Sequence, residues 1–380
     1  MADIELTARI HGGVAGIDAG DWDRLAGNDN PFVSHAFLSA MEDSGSVGPG
    51  TGWQAAPITI ADEAGEIHAA MPAYLKSHSR GEFVFDQGWA DAYEHAGGRY
   101  YPKLQIAAPF TPATGPRLLF QDEAFAAPLL NAAEQVCHEH GLSGAHATFL
   151  SPDQVPLFER AGWLIRSDLQ FHWENDGFKD FDAFLDTLAS RKRKNLRKER
   201  RRVQEQGLTI TRHQGGQISA SDWAFFYQCY ASTYLKRGQL PYLNEAFFPT
   251  VGERLAGQLM LVLARDGDRP VAAALYFFDA DCLYGRYWGC LEERDGLHFE
   301  LCYYQGIEFA IERHLAAFDP GVQGEHKILR GFEPVITWSM HHLREPAFHN
   351  AIADFCREEA VHVQRYREEA MTLLPFRKGG

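Results

Sequence analysis

The sequence predicts an α/β protein made of two tandem copies of one unit, each a mixed, mainly antiparallel sheet flanked by helices. Three observations carry this. Trp53–Ala61, an Asp62–Gly65 turn and Glu66–Leu75 read as strand, tight turn and strand, which is a hairpin pattern. About two hundred residues later the same order returns in Gln258–Arg265, Asp266–Asp268 and Arg269–Phe278. An echo at that spacing is too long for a solenoid and points to a duplicated domain. The chain of 380 residues also exceeds what one core usually fills.

The remaining elements fit two units. After the first hairpin come an apolar strand at Lys103–Pro109, a helix and a short strand at Ala145–Leu150. Pro156–Trp173 then reads as a short helix stopped at Gly162, with a strand leaving from an aromatic residue. Asp176-Gly177 marks a break, so the units are placed at 1–175 and 176–380. Phe178–Leu188 opens the second as an amphipathic helix, followed by a basic helix over 190–206 and a strand at Leu208–Arg212. Trp223, Phe226, Tyr227, Tyr230 and Tyr234 recur at helical spacing and are expected to face a core. After the second hairpin, Cys282–Gly289 is a strand, Glu300–Glu312 a helix and Glu325–Phe332 a polar strand. The tail Phe348–Ala370 reads as a terminal helix with Phe348, Ile352, Phe355 and Val363 inward.

Pro156–Trp173 resembles the signature near the end of the GCN5-related N-acetyltransferase (GNAT) fold, so the whole resembles a tandem GNAT arrangement. With the basic opening Ser190–Glu199 it is similar to the FemAB-like group, whose best-understood members add amino acids to peptidoglycan precursors from aminoacyl-tRNA. Phe85–Tyr93, Trp288–Glu292, His298–Tyr304 and Gly324–Pro334 resemble a bacterial branch of predicted N-acyltransferases. The resemblance implies transfer of an acyl or aminoacyl group onto an amine of a small molecule, peptide or cell-wall precursor. Acyl-CoA and aminoacyl-tRNA are the two implied donors. The alternatives are an acyl-CoA-dependent transferase acting on a small amine, and a non-catalytic module that binds an anionic ligand. Where a GNAT unit has its glycine-rich CoA turn, Glu293–Glu300 is acidic with one glycine. Weak acetyl-CoA binding is therefore expected.

The net charge of −15 argues against a polyanionic partner, but its distribution does not. Nine of the twelve residues in Arg191–Arg202 are Lys or Arg. Like charges crowded at i,i+4 destabilise a helix, and an anion would relieve them, so Arg191, Arg193, Lys194 and Arg197 are candidate contacts to phosphate or tRNA. N-acyl transfer needs a base and a held carbonyl rather than a nucleophile motif. Glu300 and His298, at the start of a helix after the Cys282–Gly289 strand, are the candidate catalytic pair, expected to share a cleft with Arg286 or Tyr287. Arg286, Tyr287, Lys327 and Arg330 are candidate substrate contacts in the second unit. Asp86, Tyr93, Arg99, Tyr100 and Lys103, from a polar-aromatic loop, are candidates in the first. The six cysteines are scattered without a C-x-x-C pair, which fits reduced thiols. His138, His140, His341 and His342 lack companion ligands at metal spacing, so no metal is expected. No apolar run approaches the ~18 residues of a membrane helix, and the expected location is the cytoplasm.

Overall fold

The computed structural model describes residues 5–27, 29–322 and 324–377. The chain forms two compact units, Met1–Asp168 with Ile336–Gln364, and Leu169–Val335 with Arg365–Gly380. Ile336–Gln364, late in sequence, packs with the first unit.

The first unit contains β1 (Thr7–Ile10), β2 (Trp53–Ala55), β3 (Ile58–Ala61), β4 (Ile67–Met71), β5 (Ala73–Lys76), β6 (Lys103–Ile106), β7 (Leu119–Phe120) and β8 (Gly144–Thr148). Its helices are α1 (Ala19–Ala26), α2 (His35–Asp43), α3 (Gln87–His95), α4 (Ala126–Glu139) and α5 (Val155–Arg160). The expected hairpin exists, but Pro57 and Pro72 interrupt its two arms. Proline cannot donate to a ladder. The outer halves β3 and β4 pair around the Asp62–Gly65 turn, between β1 and β7. The inner halves β2 and β5 instead enter a second sheet with β6, β8 and the strand Glu333–Leu343. One face of that sheet is apolar: Leu104, Ile106, Ala145, Ala147 and Met340 join Leu129, Leu130, Ala133 and Val136 of α4 in a buried core.

The second unit begins within β9 (Leu164–Glu174) and continues through α6 (Phe181–Thr187), α7 (Ser190–Gln204), β10 (Thr209–Gln214), α8 (Ala220–Leu235) and α9 (Phe247–Arg254). β11 (Leu259–Asp266), β12 (Arg269–Phe278) and β13 (Cys282–Cys290) follow as an antiparallel meander. A composite helix comes next: α10 (Leu297–Phe299), a π-helical turn at Glu300–Tyr304, and α11 (Gln305–Glu312). β14 (Ala317–Asp319) lies parallel to β13 and antiparallel to β9. β15 (Glu333–Leu343) and α12 (Pro346–Thr372) end the fold. The aromatic stripe of α8 faces inward as expected, with Trp223, Phe226 and Tyr230 buried.

Two expectations need correction. Glu325–Arg330 is a 3-10 helix, not a strand. Gly331 closes it at φ 85, a left-handed position that suits glycine, and Phe332 then enters the core. In α12, Ile352 and Cys356 define the buried face while Phe355 is 43% exposed. Phe355 sits one residue, about 100° of helix, off that face.

Candidate active site

In the second unit β13 and β14 form a fork. Parallel pairing runs only from Cys282↔Ala317 to Tyr284↔Asp319. β13 continues to Cys290 with β12 on its other side, while the chain after Asp319 turns away through Pro320 and Gly321. Backbone groups and side chains at the mouth of such a fork have no ladder partner to fill the space. A buried ion pair spans it: Arg286 Nη2 donates to Asp319 Oδ2 at 2.5 Å, and Gly321 N donates to Asp319 Oδ1 at 2.8 Å. Although burial raises the Asp319 carboxyl, the Arg286 guanidinium holds it below its ordinary value. His172 of β9 lies 3.7 Å from the same carboxylate.

Lys327 enters this fork from the helix Glu325–Arg330. Its side chain is buried, and its ammonium donates to the Gly321 carbonyl. Among the described residues it makes no carboxylate ion pair. Burial pushes its pKa down to about 7; Asp319 opposes the shift and Arg286 adds to it. A buried, down-shifted lysine at a strand fork is a functional-site signal.

Beside Lys327 is a wall of rings. His298 packs edge-on to Trp288 at 5.1 Å and lies 5.6 Å from Tyr303 and 6.0 Å from His326. Tyr303 OH and His326 Nε2 are 2.8 Å apart. Burial, then His326 and the Arg330 and Lys327 charges, bring His298 down to about 4, so its imidazole is neutral at pH 7. Arg330 stacks on Phe299 at 3.5 Å and is held by Glu199 of α7 at 2.8 Å.

Glu300 stands apart from this cluster. Arg200 of α7 donates to its two oxygens at 2.8 and 3.0 Å, and Gln305 donates at 2.8 Å. It lines a cavity of about 160 Å³ with Arg200, Val203, Gln204, Leu208, Ile210 and Gln305. Neither His298 nor Arg286 nor Tyr287 borders that cavity. The reason is local: residues i and i+2 of a helix point to opposite sides, so His298 and Glu300 cannot share a face. Tyr287 is buried against Tyr230 and Phe248.

The basic helix is largely answered by its own unit. Arg193 pairs with Asp186 at 3.1 Å and Arg197 with Asp182 at 2.8 Å. Arg200 binds Glu300 and Glu308. Arg191 and Lys194 are exposed.

In the first unit, Asp86, Tyr100 and Lys103 do meet, but in the interior rather than on a wall open to solvent. Tyr100 OH donates to Asp86 at 2.7 Å, and Lys103 donates to Glu82 at 2.7 Å and to Asp86. Tyr93 is half-buried between Tyr100 and Phe348, and Arg99 is exposed. Sequence reading missed Lys76, Glu82, His146, His172 and Asp319, and weighed His341 only as a metal ligand. A further sequence signal concerns Lys327, already a candidate: Phe158-Glu-Arg-Ala-Gly162-Trp163 and Lys327-Ile-Leu-Arg-Gly331-Phe332 share a helix–glycine–aromatic frame that aligns Lys327 with Phe158.

The family profile for peptidoglycan biosynthesis/recognition, FemAB-like, matches residues 13–378. No curated protein matches the chain significantly. Among solved structures, FemX is 13% identical with a TM-score of 0.55, covering 92% of this chain and 100% of its own. The C-terminal domain assigned to a lysylphosphatidylglycerol synthetase of Agrobacterium fabrum is also 13% identical, with a TM-score of 0.53, covering 88% and 96%. A tandem GNAT protein from the clavulanic acid biosynthesis pathway is 10% identical, with a TM-score of 0.47, covering 90% and 99%. No helix among the described residues is long and apolar enough to cross a membrane. Strand order and the parallel fork fit two tandem GNAT-like units, and the chain belongs to the FemAB-like family.

Proposed function

We propose that the protein is an N-acyltransferase of the Fem type, moving an acyl or aminoacyl group onto an amine of a peptide or cell-wall precursor. The reaction centre in this reading is the β13–β14 fork, and Lys327 is the observation that supports it most. A lysine with a pKa of about 7 is a usable base near neutrality, which an ordinary lysine is not. The acceptor nitrogen attacks the acyl carbon and a C–N bond forms. The nitrogen's proton passes to Lys327 Nζ. The C–O or C–S bond to the donor then breaks, and the departing alkoxide or thiolate takes that proton. Arg286 and Asp319 fix the fork's edge, and the neutral ring of His298 lines the wall. The family description and the likeness to FemX support a cell-wall-related acceptor. The acidic, glycine-poor Glu293–Glu300 turn favours an aminoacyl donor over acyl-CoA.

The test is a pH–rate profile with Lys327→Met beside Glu300→Gln. Wild-type kcat/KM is expected to rise through pH 7 as Lys327 loses its proton, and Lys327→Met to lose ~10²–10⁴-fold and that limb. Glu300→Gln should keep the limb, because Glu300 lies outside the fork. An unchanged rate in Lys327→Met would overturn the assignment.

A further inference from the structure

The two faces of the first unit's second sheet differ in kind. One is the apolar core against α4. The other is buried just as deeply yet carries a run of polar side chains beside Trp53 and Tyr74: Lys76, Lys103, Gln105, His146, Thr148, Ser339 and His341 are all at most 5% exposed. Register sets them side by side, Lys76 against Lys103, Gln105 against His146, and His146 against His341. A sheet face that only held the fold together would be apolar, because burying charge without full compensation is costly.

Compensation here is incomplete. Lys103 is matched by Glu82 and Asp86, and Lys76 donates to the Arg80 carbonyl at 3.2 Å. His146 Nδ1 and His341 Nδ1 are 2.8 Å apart, and His341 Nε2 reaches Ser339 Oγ at 2.9 Å. Glu82 Oε1, Asp86 Oδ1 and Gln105 Oε1, with His146 Nε2 and Trp89 Nε1, have no hydrogen-bond partner of normal geometry. Native interiors leave few such atoms, and each calls for an explanation. Three of the five are acceptors, two of them carboxylate oxygens, so what Glu82, Asp86 and Gln105 lack is N–H donors. The nearest resident cation, Lys76, stands 3.7 Å from Glu82 Oε1, too far for a hydrogen bond. Burial, opposed by Glu82, brings it down to about 7.

Trp89 packs on His341 at 4.8 Å and Tyr100 lies 6.1 Å from His146; the Lys76–Lys103 side of the layer is covered by the irregular segment Ser77–Asp86, which supplies Glu82 and Asp86 themselves. Phe83 in it holds φ 61, a left-handed conformation uncommon for a bulky residue and typical of ligand clamps. Its neighbour Phe85 is 70% exposed. The segment is anchored to the layer through Glu82 and Asp86, each of which keeps one oxygen without a hydrogen-bond partner.

We propose that this polar layer is a binding site for a primary-amine ligand, with Ser77–Asp86 as its cover. The ligand ammonium donates to Glu82, Asp86 and the Gln105 carbonyl.

Hydrogen exchange on the full-length protein, with ethanolamine as probe and N-acetylethanolamine as control, tests it without any assay of activity. Ethanolamine at ten times its Kd should slow exchange across residues 77–86 about tenfold, by mass action on the closed form. The acetylated control should do nothing. Gln105→Leu, which carries no charge and fits an interior, should weaken the effect, and Glu82→Gln should abolish it. If Glu82→Gln does not fold, Gln105→Leu alone decides. Exchange in 77–86 that ethanolamine leaves unchanged in the wild type, or protection that the acetylated control reproduces, would overturn the site and leave a structural ion cluster.

Discussion

The same short sentence occurs once in each unit, and the comparison bears on where the proposed chemistry sits. In the first unit α5 ends at Gly162, with φ 80, and Trp163; in the second, Glu325–Arg330 ends at Gly331, with φ 85, and Phe332. Counting back four residues from each glycine gives Phe158 in one and Lys327 in the other. Both side chains are buried, at 0% and 1% exposure. Phe158 packs edge-on against Trp163 at 5.1 Å within the core. Lys327 points a charge into a fork. The parallel strands differ to match. In the first unit pairing resumes beyond β6 and β8 through a Gly115↔Leu150 bridge. Arg117 fills the gap, donating to the Thr148, Pro116 and Ala113 carbonyls at 2.8 to 2.9 Å. In the second unit nothing among the described residues rejoins β13 to β14 after Asp319. Of the two forks, one is plugged by backbone-directed bonds, and the other holds the side chains to which the proposed reaction is assigned.

The sharpest way to break this comparison is to truncate both residues. Phe158→Ala should lower stability by ~3–5 kcal/mol, the usual cost of emptying an aromatic site. Lys327→Met should leave stability unchanged or raise it, since it replaces a buried amine with an apolar chain of similar length. Denaturant melts of the two variants read both. The pH dependence follows. The unfolded chain keeps a lysine proton up to 10.5, while the folded state releases it near 7. Native stability should therefore rise with pH across that window, less steeply in Lys327→Met. A steep loss of stability in Lys327→Met would make Lys327 a structural residue like Phe158.

A smaller effect separates both units from an ordinary core. Burial lowers His146 to about 3, His298 to about 4, and His341 well below its ordinary value. For each depressed histidine the unfolded state takes up its proton first, so stability is lost as pH falls from 6.5 toward the folded value. For His298 alone the fall from 6.5 to about 4 amounts to about 3 kcal/mol by pH 4. Thermal melts between pH 7 and 4 should show this loss, and His298→Phe should reduce it. An identical acid profile in that variant would mean that His298 is solvated and not part of the ring wall.

Much of the architecture was legible because it is local. Turn chemistry at Asp62–Gly65 and Asp266–Asp268 fixes the hairpins, and the helical spacing of Trp223, Phe226 and Tyr230 fixes α8. The 3-10 helix at Glu325–Arg330 was obscured because two of its three buried positions, Lys327 and Arg330, are charged, which leaves Ile328 alone and no hydrophobic periodicity. Glu300 read as a base because it opens a helix beside a histidine; spacing alone separates the two. Arg286 and Lys327 were identifiable as candidates, whereas Asp319 and His172 come from strands far apart in sequence that only pairing with β14 unites. The polar layer was half visible. Asp86, Tyr100 and Lys103 cluster in sequence, but Lys76, His146 and His341 join them only through sheet register.

The smallest predicted effect concerns α7, where the comparison is between two sides of one helix. Leu196 and Val203 are buried and Arg200 is held by Glu300 and Glu308, so the inner side is fixed by packing and by shielded charge. Arg193 and Arg197 meet Asp186 and Asp182, whose side chains are 65% and 75% exposed. Pairs of that kind contribute ~0.2–1 kcal/mol and are screened by salt. Arg197→Gln and Arg193→Gln should each lower stability by no more than this, with the difference fading as salt is raised. Arg200→Gln should cost several times more, because it leaves the buried Glu300 carboxylate without its guanidinium. If Arg193 and Arg197 instead held a phosphate-bearing partner, their replacement would reduce binding and its salt dependence by ~0.7 in log–log slope per lost contact to a single strand. Equal stability losses for Arg197→Gln and Arg200→Gln would erase the distinction between the two sides of the helix.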